Sequence, residues 1–144
     1  MNWKFWQRQQ VPDGGTAAND ALAKLAEMLV QDVGKQGLNL DYRVESLAAV
    51  DKVLAGYGVG QADQNMGLVE LVGAYFGEVL RRQHGGNWFE NVPPDGATGL
   101  LLDEKAEFWV WCHAVVHKQL QHGGKSLFGI AQEVPTFLRR ARGH

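Results

Sequence analysis

The sequence predicts an α+β protein with three N-terminal helices, a three-stranded antiparallel meander and then C-terminal helices. Two patterns indicate this class. Apolar residues recur at three- and four-residue steps before residue 85 and after residue 112, as in buried helical faces. Residues 88–111 instead contain short aromatic and β-branched segments separated by turn sequences, as in strands. Because strands and helices do not alternate, a doubly wound sheet is not expected.

Residues 1–19 are predicted to form a flexible aromatic arm and linker. Residues 20–144 are predicted to form a single α+β domain. The chain has 144 residues, 45% of them hydrophobic, which is ordinary for one globular unit. Trp3, Phe5 and Trp6 stand among basic residues of the arm. Aromatic side chains often anchor interfaces, so these three are candidate contacts with a partner protein or a second copy. The alternative is that they fold back onto the domain.

Three helices are predicted before residue 85. The first begins after Asn19, a candidate N-cap, the second ends at Gly56, and the third covers about residues 66–84. Each helix carries one apolar stripe at helical spacing. The stripes are Leu22, Leu25, Met28, Leu29 and Val33; then Leu47, Val50, Val53 and Leu54; then Met66, Val69, Val72, Phe76, Val79 and Leu80.

Gly73 and Gly77 lie one turn apart inside the third helix, where a glycine costs up to about 1 kcal/mol. A close approach by another backbone is the leading explanation for this pair. A ligand lying against the bare helix face is the alternative. In that alternative the site lies between the third helix and the sheet, and Glu78, Arg82 and Trp88 are the candidate ligand-binding residues.

The three predicted strands cover residues 88–92, 99–102 and 107–111, with short turns between them. Sequential strands with short connections favour an antiparallel meander. The third strand is apolar on both faces, so it should be the most covered. Its two faces carry Phe108 and Val110 on one side and Trp109 and Trp111 on the other.

A fourth helix is predicted over residues 113–121, and a fifth begins after Ser126 as N-cap, with a break before Pro135. The string Gly124-Lys125-Ser126 at the start of the fifth helix looks like the end of a phosphate-binding loop. The first glycine of such a loop would fall at Gln119, and a helix precedes the string where a strand is required. An ordinary serine N-cap is therefore favoured.

His113 and His117 are four residues apart, the spacing of helical zinc ligands. The glutamate of a His-Glu-x-x-His metallohydrolase is missing between them. They share the stripe of Val116 and Leu120, so a structural role is favoured over metal binding. If a metal were bound, the third ligand would come from Glu107, His84 or Cys112.

Composition excludes several classes of function. The net charge of −2 argues against nucleic-acid binding, which needs a basic face. No apolar run approaches the roughly 18 residues of a membrane span. The single cysteine, Cys112, and the lack of an apolar leader predict a cytoplasmic protein. Adjacency of Cys112 and His113 does not make a catalytic pair, and no cofactor is predicted.

Several strings of this sequence form a pattern: Leu40-Asp41-Tyr42, Glu45-Ser46-Leu47, Val50-Asp51, Gly73 to Leu80 leading to Gly86 and Trp88, and Val115-Val116-His117-Lys118 with Gly123 or Gly124 and Leu127. Together they resemble a group of small uncharacterised bacterial proteins, a domain of unknown function. The core of that group reads Ser-Leu and Val-Asp, then Gly-x-Tyr-x-Gly-Glu, then Gly-x-x-Trp, and Glu78 and Trp88 match it. The resemblance covers about residues 38–130 and implies a helix-rich bacterial α+β domain without an established activity.

No combination of acid, base and nucleophile stands out, whereas five tryptophans and an aromatic arm offer binding surface. The leading prediction is a non-enzymatic bacterial cytoplasmic domain that binds another protein, as an accessory or immunity-like factor. The alternative is a small-molecule or metal-binding domain, including a hydrolase. Its site would use Glu78, Arg82, Trp88, His113 or His117.

Overall fold

The computed structural model describes residues 5–11 and 15–143 and confirms the α+β class. Within these residues one antiparallel sheet has the strand order β1-β5-β4-β3-β2. The strands are β1 (Trp6–Arg8), β2 (Thr16–Ala17), β3 (Asn87–Val92), β4 (Ala97–Asp103) and β5 (Phe108–Val110). The helices are α1 (Asn19–Gly34), α2 (Leu47–Ala55), α3 (Met66–His84), α4 (Cys112–His122) and α5 (Leu127–Ala141), with 3₁₀ turns at Val44–Ser46 and Asp63–Asn65.

The predicted order of elements is wrong at the N-terminus. Two short strands precede the helices, and the described part of the sheet has five strands rather than three. The extra strands come from the segment expected to be an arm. β1 pairs with β5, with Trp6 opposite Val110, and β2 pairs with β3. Strands of two or three residues carry too little periodicity to be recognised in a sequence.

The outer face of the sheet is apolar and is covered by the chain that follows β1. The Trp109 indole donates a hydrogen bond to the backbone oxygen of Gln9, at 3.1 Å. Trp109 stacks on Trp111, with ring centroids 5.2 Å apart, and Val11 packs on the same cluster. All three residues of β5 are buried, which confirms the prediction that this strand is the most covered.

The inner face of the sheet packs on the helices. Trp88, Leu100 and Val110 lie side by side across β3, β4 and β5 and belong to the main core. The central helix is α3, which contacts both α1 and α4, while α2 contacts α5. Every residue from Val72 to Leu80 is buried, because this helix has neighbours on most of its circumference.

Three local predictions had different outcomes. Ser126 is the N-cap of α5, and its side chain accepts from the N–H of Gly129 at 3.0 Å. Asn19 is not a cap: it is the first residue of α1, and its side chain accepts from the Trp88 N–H at 2.7 Å. The break expected before Pro135 is absent, because α5 continues through it. A single proline inside a helix removes one backbone hydrogen bond. The free energy gained by burying the apolar face of α5 outweighs that loss.

Deletion of residues 1–11 is expected to destabilise the protein by about 3 kcal/mol or more, because burying one phenylalanine side chain contributes about 1.5–3 kcal/mol. Phe5 is buried, and the deletion also uncovers Trp109. Urea unfolding followed by tryptophan fluorescence measures the loss. Deletion of residues 1–4 is the matched control, since it leaves Phe5 and β1 in place. An unchanged unfolding midpoint for the longer deletion would show that the segment is not part of the core.

Candidate functional site

The predicted ligand space between α3 and the sheet is filled by the protein's own side chains. A Cβ atom added at Gly77 would overlap the indole ring of Trp88, and one added at Gly73 would lie 2.5 Å from Cδ2 of His113. The expectation that another backbone approaches these glycines is therefore wrong, since two aromatic side chains do so. The space taken by these two side chains accounts for both glycines, so no ligand is needed to explain them.

Glu78 is fully buried beneath this contact, with 0% of its surface exposed. The Trp88 indole donates to its carboxylate at 2.9 Å, and Arg81 donates two hydrogen bonds, at 2.6 and 3.0 Å. Burial alone would raise the pKa of Glu78, but the bonds from Arg81 and Trp88 outweigh it and lower the pKa. The carboxylate is therefore held ionised. The sequence analysis placed Glu78 and Trp88 in one candidate ligand site; in the structure they contact each other and both side chains are buried.

Arg82 lies at the exposed edge of this network. Its Nε is 3.6 Å from the Glu78 carboxylate, and its guanidinium stands 3.5 Å from the centre of the Tyr42 ring. The Tyr42 hydroxyl donates to Glu27 on α1 at 2.8 Å, and the Tyr42 backbone N–H donates to the hydroxyl of Tyr75 at 2.9 Å. The cluster joins α1, α3 and the loop before α2, which indicates a structural role.

His113 and His117 have separate surroundings. The His113 Nδ1 atom is buried and has no hydrogen-bond partner among the described residues, and burial lowers the pKa of His113. His117 instead lies 3.0 Å from an oxygen of Asp63. Within residues 5–11 and 15–143, no three His, Cys, Asp or Glu side chains converge as metal ligands would. Burial also raises the pKa of Cys112, which disfavours the nucleophilic thiolate.

The Gly124-Lys125-Ser126 segment is not arranged as a phosphate loop. It follows α4 rather than a strand. The carboxylate of Asp51 accepts from the N–H groups of Leu127 and Phe128, at 2.8 and 3.1 Å. The first turn of α5 therefore already holds an anionic side chain of the protein itself.

A concave cleft with a volume of about 380 Å³ opens between β1, α4 and α5. Its aromatic walls are Phe5, Trp6 and Phe137. Phe5 and Phe137 meet edge to face at 5.5 Å, and Trp6 stacks on Phe108 at 4.5 Å. We call this space the aromatic cleft. The remaining lining residues are Val115, Lys118, Gln119, Gly123, Gly124, Lys125, Ile130 and Glu133.

Charged side chains also line the aromatic cleft. Lys125 and Glu133 form an ion pair across the start of α5, and α4 contributes Lys118. Apolar walls with a few charged groups are characteristic of small-ligand sites.

Two of the predicted partner-binding residues, Phe5 and Trp6, therefore line a cleft instead of extending from the domain, and Trp3 lies outside the described residues. Sequence reasoning missed Lys118, Lys125, Glu133 and Phe137. The cleft joins residues 5–6 to two consecutive helices that follow more than a hundred residues later in the chain. The pairing of β1 with β5 brings Phe5 to these helices, and no local pattern indicates that pairing.

A wider and shallower groove runs between α1 and the start of α3. Its apolar residues include Leu22, Leu25 and Val69. Met66 lines it with 51% of its surface exposed, and Met28 on α1 is 53% exposed. Exposed methionines are common on adaptable protein-binding surfaces.

Comparison of the chain with protein-family models, with curated proteins and with solved structures finds no match. The resemblance noted from the sequence therefore stays a prediction. In the described part of the chain, no helix has the length and apolar character needed to cross a membrane.

Replacing Glu78 by alanine is expected to lower the free energy of unfolding by about 3 kcal/mol, because it leaves the buried Trp88 N–H without an acceptor. Urea denaturation at neutral pH measures the loss. Glu70→Gln on the exposed side of the same helix is the control, with an expected change within about 0.5 kcal/mol. If Glu78→Ala were as stable as the wild type, the ligand-binding interpretation of Glu78 would be favoured instead.

Proposed function

We propose that this protein is a binding domain for a small apolar molecule, and that the aromatic cleft is its site. The observation that carries the proposal is a cleft of about 380 Å³ walled by three aromatic rings. This volume falls within the range of about 300–1,000 Å³ for small-ligand pockets.

The walls favour an apolar ligand for a physical reason. Phe5 is buried and belongs to the main core, and Trp6 and Phe137 pack against that core. Their rings are thus held in place before a ligand enters, which reduces the entropy lost on binding. Removal of apolar surface from water would supply the binding free energy, at about 0.8 kcal/mol per buried CH₂ group.

A neutral probe tests this proposal. Titration of the isotopically labelled protein with 1-octanol is expected to shift the amide resonances of cleft residues, with a Kd of about 1 mM or tighter. Gln119→Trp should abolish the shifts by filling the cleft from α4. Gln132→Trp, at an exposed position on α5, is the matched control and should bind like the wild type. Shifts that are absent, or equal in both variants, would contradict the proposal.

Protein binding, the leading prediction from the sequence, is the second candidate function. The observation that favours it is the half-exposed Met66, which lines the groove between α1 and α3. We propose that this groove serves self-association, because exposed apolar surface of this kind gains free energy when a second copy covers it.

Sedimentation velocity over a range of concentrations tests self-association. Met66→Lys should weaken it at least fivefold, because association would bury an ammonium group. Val59→Lys, in an exposed loop on another part of the molecule, should leave it unchanged. A protein that remains monomeric at all concentrations would exclude this candidate.

A further inference from the structure

We infer that this protein associates head to tail, with the basic end of α5 of one copy seated in the groove between α1 and α3 of the next. This inference rests on the second candidate function, self-association, and adds the surface that meets the groove. The two surfaces belong to different parts of the chain, so the contact is heterologous. The basic end of α5 consists of four exposed arginines: Arg139, Arg140, Arg142 and the adjacent Arg8.

The groove combines apolar and acidic residues. Glu70 on α3 and Glu90 on β3 line it together with the apolar residues already described, and Lys24 is its basic residue among the described lining. Within residues 5–11 and 15–143, neither carboxylate has a hydrogen-bond or ion-pair partner, and Lys24 pairs with neither of them. Both carboxylates are therefore available to cations that another molecule brings.

The end of α5 carries the opposite charge. Arg139 and Arg140 are exposed and have no ion-pair partner in the described part of the chain. Arg142 pairs with Asp103 at 2.6 Å, and Arg8 donates to the α5 backbone at 2.9 Å. Four arginines and one carboxylate leave this end positively charged, although the whole chain has a net charge of −2.

The two surfaces lie at opposite ends of α3. Glu70 is near the start of this helix and His84 is its last residue, which separates them by about 21 Å at 1.5 Å per residue. Burial and the charge of Arg142 both lower the pKa of His84, so the end of α5 lies beside the end of α3. One copy thus presents acidic and basic surfaces on different sides, as a head-to-tail contact requires.

Arginine suits the groove because its side chain combines an apolar stem with a charged head. The stems of Arg139 and Arg140 would cover Met66, which has 51% of its surface exposed. Their guanidinium groups would reach the carboxylates of Glu70 and Glu90, and a guanidinium can bind a carboxylate through two parallel hydrogen bonds. The contact would therefore bury apolar surface and pair the unpaired charges together.

Sedimentation velocity of the full chain at two salt concentrations measures the contact. At about 0.05 M salt, we expect species larger than a dimer as the protein concentration rises, because each added copy leaves one groove and one α5 end open. Raising the salt to about 0.5 M should weaken association about tenfold, since salt screens exposed charges.

Charge reversal tests the pairing of the two surfaces. Glu70→Lys in the groove and the double variant Arg139→Glu/Arg140→Glu should each associate about tenfold more weakly than the wild type. An equimolar mixture of the two variants should associate again, because the reversed α5 end of one meets the reversed groove of the other. Arg43→Glu and Asp32→Lys, at exposed positions outside both surfaces, are the matched controls and should associate like the wild type.

The outcomes separate this inference from self-association itself. A protein that stays monomeric at low salt excludes both. Association that stops at a dimer, or that salt and both charge reversals leave unchanged, overturns the head-to-tail contact while self-association through the groove stands. A mixture of the two variants that does not associate also overturns it.

Discussion

The hydrogen bond from the Trp88 indole to the buried Glu78 carboxylate holds the sheet to the helical layer. Trp88 is fully buried on β3, and Glu78 is fully buried on α3, so neither group has water as an alternative partner. Such a buried polar pair is costly when one member is missing. Arg81 completes the pair with two further hydrogen bonds, and the carboxylate stays charged in the interior.

Glycines make this contact sterically feasible. Gly77 leaves the space that the Trp88 ring occupies, and Gly73 leaves the space for His113 at the start of α4. Gly86, with a φ of 106°, precedes β3, and a Cβ there would lie 2.5 Å from the Leu101 backbone oxygen. Three glycines of one helix–strand unit thus fix the position of β3 on α3, and of α4 on α3. Residues of α4 line the aromatic cleft, so the shape of the cleft depends on how α4 packs on α3.

The sequence was informative where periodicity is long or a residue type is distinctive. The third helix and the two apolar faces of β5 follow from their patterns, and the structure confirms both. The role of Gly73 and Gly77 was only half predictable: the need for a close neighbour was evident, but not that aromatic side chains supply it. β1 could not be predicted, because three residues show no reliable alternation of apolar and polar side chains. Since β1 forms one side of the cleft, the location of the cleft could not be predicted either. Glu78 illustrates the same limit, since a glutamate on a helix gives no sign of whether its neighbours bury it.

The strand β1 has two roles that are physically coupled. Its residue Trp6 pairs with Val110 in the sheet and also lines the aromatic cleft beside Phe5. A ligand in the cleft would contact β1 together with α4 and α5, so its binding free energy would add to the attachment of β1. By mass action a ligand that binds only the folded state stabilises that state. If the cleft binds a ligand, the segment that resembles a free arm in the sequence would therefore connect binding to stability.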